Sequence, residues 1–193
     1  MAHPHCPGGA AVEGSTAERG AARCARVYGR AVPSRVVGGP FADAVSAFCD
    51  HPVELVRSDQ LGAAVDVLPL TLASTASADR LAEHAGDPRL ADGRRFRMLL
   101  ELAGCTACEE GSWAGRLVRV GDALIRVVRP VPRCGVTQQD PDTGTFQLQA
   151  LRTLAADRGR GPNGRSLHFG MHAEVAEPGW VRVGDGAEPQ PAS

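Results

Sequence analysis

Between Leu117 and Gly144 the chain leaves itself few conformations. Leu117-Val-Arg-Val120 and Ala123-Leu-Ile-Arg-Val-Val-Arg129 are two strand-like runs separated by Gly121-Asp122, the spacing of a hairpin. The second run then meets Pro130 and Pro132, which fix φ and bias the residues before them toward extended backbone. Cys134 follows, and Asp140-Pro-Asp-Thr-Gly144 closes the stretch as a turn. Arg129 and Arg133 set fixed positive charge beside the thiol, which favours the thiolate, the form that acts as nucleophile and metal ligand. A cysteine packed as a small hydrophobe in a strand is equally compatible with these residues.

The rest of the chain repeats the short-strand pattern. Val53–Arg57, Leu70–Ala73, Met98–Ala103, His168–Val175 and Trp180–Val183 read as further strands. Helices are expected over Pro40–Asp50, over Ala78–His84 with Ser77 as N-cap and Gly86 as stop, and over Phe146–Asp157. Strands and full-length helices do not alternate, and neither a GxGxxG after a strand nor a P-loop is present. The expected class is therefore α+β: a closed or strongly curved, mostly antiparallel β-barrel with a few peripheral helices. Residues 1 to 34 are rich in Gly, Ala, Pro and Arg without sustained periodicity. They read as a disordered or remnant segment, before a barrel domain over 35–187 and a flexible tail over 188–193.

Composition limits the function classes. A net charge of -1 gives no global reason for nucleic-acid or membrane binding, and no apolar run is long enough to span a bilayer. All the basic side chains are Arg, whose planar fork suits phosphate and carboxylate. The six cysteines (Cys6, Cys24, Cys49, Cys105, Cys108 and Cys134) lack the spacing of a disulfide scaffold, so a reducing cytoplasm is the expected compartment. Cys105-Thr-Ala-Cys108 has no second ligand pair at zinc-ribbon spacing, and His3, His5 and Cys6 have no further matching ligands. His168 and His172 share one face of a strand and suit packing or a rim position.

The ordered set Arg94-Arg-Phe-Arg97, Glu110-Gly-Ser-Trp113, Leu117-Val-Arg-Val-Gly-Asp122, Pro132-Arg-Cys134, Asp140-Pro-Asp-Thr-Gly144, Leu151-Arg-Thr-Leu154, His168-Phe-Gly170 and Val181-Arg-Val-Gly-Asp185 resembles the MOSC domain. It is the domain found at the C-terminus of molybdenum-cofactor sulfurases, and the likeness is to the branch related to the mitochondrial amidoxime-reducing component. It covers roughly residues 40 to 187. The resemblance implies a β-barrel that binds a molybdopterin-type molybdenum cofactor, with Cys134 as thiolate ligand to the metal. Ser74, Thr75 and Arg97 match positions that hold the cofactor, Arg133 borders the ligand, and Thr137 and Asp140 match positions lining the pocket. It also implies an oxidoreductase acting on N-hydroxylated or related small molecules, with electrons from an external protein partner. The alternatives it leaves are a sulfur carrier holding a persulfide on Cys134, or a non-catalytic cofactor-binding remnant; pyridoxal phosphate binding is associated with the family only as a whole. Two departures stand out. Met98-Leu99 replaces the usual Pro-Asn after Arg-Phe-Arg, and the N-terminal companion domain of the relatives is largely missing.

Overall fold

A computed structural model describes residues 12–15, 19–60, 62–63 and 66–191. The chain divides into two compact units, Met1–Val67 and Leu68–Ser193.

In the first unit, β1 (Arg19–Val27) and β2 (Arg30–Val37) pair antiparallel, and β3 (Val56–Ser58) adds to the far side of β2. Residues 1 to 34 read from sequence as a disordered or remnant segment; from Arg19 onward the described residues form β1 and the start of β2, which corrects the disordered alternative there. Tyr28 and Gly29 both take positive φ, the requirement of a tight hairpin turn, and β2 buries Val32, Ser34 and Val37. The alternation was masked by the flanking Ala, Gly and Arg residues, which carry little β signal. His3, His5 and Cys6 lie outside the described residues. Helix α1 (Pro40–Cys49) starts on a proline, and Ser46 Oγ ties it to the following segment by accepting from Val53 N at 3.0 Å.

The second unit is a six-stranded sheet in the order β5-β4-β8-β7-β6-β9. Its strands are β4 (Leu70–Ser74), β5 (Leu100–Leu102), β6 (Leu117–Val120), β7 (Ala123–Pro132), β8 (His168–Glu177) and β9 (Ala187–Pro189). All its pairings are antiparallel except β4 with β5. Helix α2 (Thr75–Ala85) connects those two, and α3 (Ala150–Arg158) packs on α2. The sheet is strongly curled but open, so the closed-barrel alternative is not realised: β5 and β9 are three-residue edges. The β7–β8 ladder is irregular at three places, including Pro130/Pro132, where no N–H can be donated. Trp180–Val183, expected as the last strand, is irregular, and β9 forms later. At Gly170 in β8, φ is +72° and a Cβ would lie 2.6 Å from the Leu72 carbonyl, so β4 and β8 can approach only over glycine.

Two apolar cores result. One gathers Leu81, Leu90, Phe96, Leu154 and Phe169 between the helices and the sheet, with the rings of Phe96 and Phe169 stacked at 3.8 Å. The other packs Leu72, Trp113, Val118, Ile125, Val127 and Met171.

Candidate functional site

Cys134 sits just beyond β7, where the sheet ends and the chain turns into a 3-10 turn over Gly135–Gln138. Its side chain is exposed. Its carbonyl accepts from Thr137 N at 3.3 Å and from Thr137 Oγ1 at 3.0 Å, so the fully buried Thr137 fixes the loop from beneath. The neighbouring Arg133 points inward. Its Nε donates to Phe169 O at 3.1 Å, Nη1 to Phe96 O at 2.9 Å and Nη2 to Met98 Sδ at 3.1 Å, with the guanidinium over the Phe96 ring. Arg133 therefore joins the thiol loop to residues 96–98 and brackets Arg97.

The Arg94–Arg97 segment is not a strand edge, as its side chains suggest in isolation. It forms a 3-10 turn over Gly93–Phe96, and each arginine has a different environment. Arg94 pairs with Asp92 and Asp142, which raises its pKa further. Arg95 is buried, donating to Arg89 O, Gln139 O and Gln147 Oε1. Arg97 takes φ of +50° and is exposed; its backbone N–H donates to Arg94 O at 3.2 Å, and its side chain has no hydrogen bond or ion pair among the described residues. The third segment is the start of α2. Ser74, not Ser77, is its N-cap: Ser74 Oγ accepts from Ser77 N at 3.1 Å. Thr75 is exposed, its hydroxyl 3.5 Å from Leu102 O. Ser74, Thr75, Phe96 and Met98 line one small cleft, so this segment lies against the one Arg133 braces.

An anion already occupies this helix start, and it belongs to the chain. The buried carboxylate of Glu110 accepts from Ser74 Oγ at 3.0 Å and from Ser77 Oγ at 2.8 Å, while Ser77 Oγ accepts from Cys108 N at 2.8 Å. Glu110 and Ser77 were not among the expected site residues. Glu110 is separated from Ser74 by thirty-six positions, and no local pattern joins them. Asp140 is also engaged: Oδ1 accepts from Asp142 N, Thr143 N and Thr143 Oγ1 at 2.9 to 3.1 Å. Those donors, the Thr143 N–H first, and the charge of Arg95 hold its carboxyl below the ordinary range. The turn is thus formed by Asp140, while Asp142 pairs with Arg94.

The expected residues thus fall into two sets. Cys134, Arg97 and Thr75 present free or weakly held groups at the surface. Arg133 links the thiol loop to residues 96–98, while Ser74 is engaged with Ser77 and Glu110, and Thr137 and Asp140 are engaged within their own turns. The set fits a molybdenum cofactor at the metal end, where the soft sulfur of an exposed cysteine suits a transition metal, and at Arg97 and Thr75 for anionic or pterin oxygens. Among the described residues there is no group of three or more His, Cys, Asp or Glu suited to a metal, and no helix long and apolar enough to cross a membrane.

The family model of the MOSC domain matches residues 62–188. Mitochondrial amidoxime reducing component 2 of Rattus norvegicus is 38% identical over 96 residues, 47% of this chain and 28% of that protein. Mitochondrial amidoxime-reducing component 1 of Homo sapiens is 34% identical over the same length, and that of Mus musculus 32% identical over 126 residues, 62% of this chain and 36% of that protein. The chain thus spans well under half the length of these relatives. The crystal structure of YiiM from Escherichia coli matches with 18% identity and a TM-score of 0.43, covering 74% of this chain and 66% of that one. With the matched region spanning the curled sheet and the Cys134 loop, the chain belongs to the MOSC domain family.

Proposed function

We propose that this chain binds a molybdenum cofactor of the molybdopterin type through Cys134 and acts as an oxidoreductase on N-hydroxylated or related small molecules. The observation that carries the reading is the Arg133 brace: it ties the loop that bears the exposed Cys134 to residues 96 and 98, which flank the exposed Arg97. The bound group would supply the two-electron redox chemistry. The chain's part is to present the thiolate on a loop fixed by Thr137, and to offer Arg97 and Thr75 to the cofactor's oxygens. Relatives named amidoxime-reducing components support the substrate class. No flavin or iron–sulfur motif is visible in the sequence, so an external protein would donate the electrons.

The internal commitment of Ser74 and Arg133 favours a second reading, in which Cys134 carries sulfur as a persulfide and no phosphate grip is needed. One preparation separates the two. The protein is purified from cells that make the cofactor, and molybdenum is measured by mass spectrometry beside Cys134→Ala. Stoichiometric metal that Cys134→Ala reduces supports the first reading. Metal-free protein with an alkylation-trapped persulfide on Cys134 overturns it in favour of the second.

A further inference from the structure

We infer that Arg95 is a positioning residue of the thiol site: it fastens the far half of the Cys134–Gly144 loop to the turn that carries Arg97, and so fixes the spacing between the thiol and that arginine. Its consequence for a bound cofactor rests on the Cys134 reading; the fastening itself is a property of the chain alone. Arg95 is 4% exposed, a depth at which an arginine is kept only with its donors occupied. Its Nε donates to Arg89 O at 2.8 Å, Nη1 to Gln139 O at 2.6 Å and Nη2 to Gln147 Oε1. One guanidinium thus gathers three segments, and two of its acceptors lie in the loop or just beyond it.

The link from Gln139 back to the thiol is short. Thr137 N donates to Cys134 O at 3.3 Å and Gln139 N to Val136 O at 3.2 Å, so the 3-10 turn over Gly135–Gln138 passes the position of the Gln139 carbonyl on to the cysteine. Behind it, Gln138 O accepts from Gln147 N at 2.9 Å and from Leu148 N at 3.1 Å, which closes the loop beside the second acceptor of Arg95. Toward Arg97 the link is as direct, since both arginines belong to one turn and Arg97 N donates to Arg94 O at 3.2 Å. Arg133 ties the near end of the loop to residues 96–98, and Arg95 ties its far end to the same segment. Charge agrees with this arrangement. Asp140 Oδ1 is taken up by the N–H groups of Asp142 and Thr143, while Oδ2 lies 4.0 Å from Arg95 Nη2. The buried cation therefore has a counter-charge on the loop it holds. A lysine would keep the charge but bring one nitrogen to three diverging acceptors.

The test compares the full chain with Arg95→Lys and with Gln147→Ala, which leaves the buried cation in place and removes one of its acceptors. Amide hydrogen exchange on the metal-free proteins, well below their melting temperatures, reads the loop. Arg95→Lys speeds exchange at Thr137 and Gln139 about tenfold and Gln147→Ala by less, while the amides of the β6–β7 ladder stay as in the parent. Should Arg95→Lys fail to fold, Gln147→Ala carries the same comparison. In protein from cells that make the cofactor, molybdenum content falls about threefold or more in Arg95→Lys. The electron paramagnetic resonance signal of the metal that remains broadens, because the spacing around the thiol is no longer single. A mere folding defect lowers the content and leaves the signal of the bound fraction unchanged. Parental exchange at Thr137 and Gln139, faster exchange spread evenly over the β6–β7 ladder, or parental metal content and signal in a variant whose loop has loosened would each overturn the inference. A parent that holds no molybdenum sinks the Cys134 reading instead, and the exchange rates still decide whether Arg95 fastens the loop.

Discussion

Arg133 Nη1 donates to the carbonyl of Phe96 at 2.9 Å, so the residue before Cys134 is tied to the residue before Arg97. Replacing Arg133 leaves the carbonyls of Phe96 and Phe169 without a donor and removes the cation from the Phe96 ring. Arg133→Met should destabilise by about 2–3 kcal/mol and lower Tm by roughly 5–10 °C. Arg133→Lys should recover less than half, since one ammonium cannot reach three acceptors in a fork. Thermal melts of the three proteins check this; a Tm within 1–2 °C of the parent (roughly 0.5 kcal/mol) refutes the bracing role.

Arg97 is the opposite case. Its side chain makes no hydrogen bond or ion pair among the described residues, yet its backbone is left-handed, a conformation that costs a side-chain-bearing residue about 1–2 kcal/mol. Arg97→Gly should raise stability slightly, by roughly 0.5 kcal/mol after the extra chain entropy of glycine, while reducing cofactor occupancy. Chemical denaturation paired with metal analysis reads both. Loss of stability with unchanged metal would show that Arg97 is structural.

The hydroxyls of α2 separate in the same way. Ser77→Ala strips one donor from the buried Glu110 Oε1 and the acceptor from the half-buried Cys108 N. It should cost about 1–3 kcal/mol. Thr75→Ala, one turn-edge away but exposed, should cost under about 0.5 kcal/mol. If the two variants denature at the same midpoint, the Glu110 network does not hold this helix start.

These contrasts show what the sequence made legible. The Leu117–Pro132 hairpin, the end of α2 and the turn before Gly144 are written in local signals: alternation, a stopping glycine at Gly86, an Asp-Pro-Asp-Thr-Gly string. The start of α2 is not, because Ser74 and Thr75 before Ser77 offer competing caps and Ser74 takes the role. The hairpin of β1 and β2 was hidden because its inward residues are small and sit among arginines. The division of the arginines into exposed Arg97 and inward Arg95 and Arg133 was not readable, because it depends on carbonyls tens of positions away. The same holds for Glu110, whose partners precede it by over thirty residues.

Cysteine reactivity should follow burial. Cys134 is exposed, whereas Cys105 is half-buried, and burial with the charges of Glu109 and Glu110 raises its pKa. Limited alkylation with iodoacetamide at pH about 7.5, well below the free-thiol value of about 8.5, should label the exposed Cys24, Cys49 and Cys134 ahead of Cys105 in peptide maps. Equal labelling would mean that the Cys105 turn opens readily in solution.

Acid should unfold the protein through its capping carboxylates. Asp87, Asp92 and Asp140 all have lowered pKa values: the first two through side-chain bonds from Arg89 and Arg94, Asp140 through the N–H of Thr143. A carboxyl depressed in the folded state binds its proton more readily when unfolded. Its stabilisation is therefore complete above the unfolded value of about 3.9 and is lost as pH falls through the folded value. Tm should be flat from neutral pH to about 5 and then fall steeply below about 4. Asp140→Asn keeps an acceptor for the N–H groups of Asp142 and Thr143 but cannot titrate. It should leave the neutral Tm close to the parent's and make the acid limb shallower. An acid limb as steep as the parent's would mean that the Asp140 turn takes no part in acid unfolding.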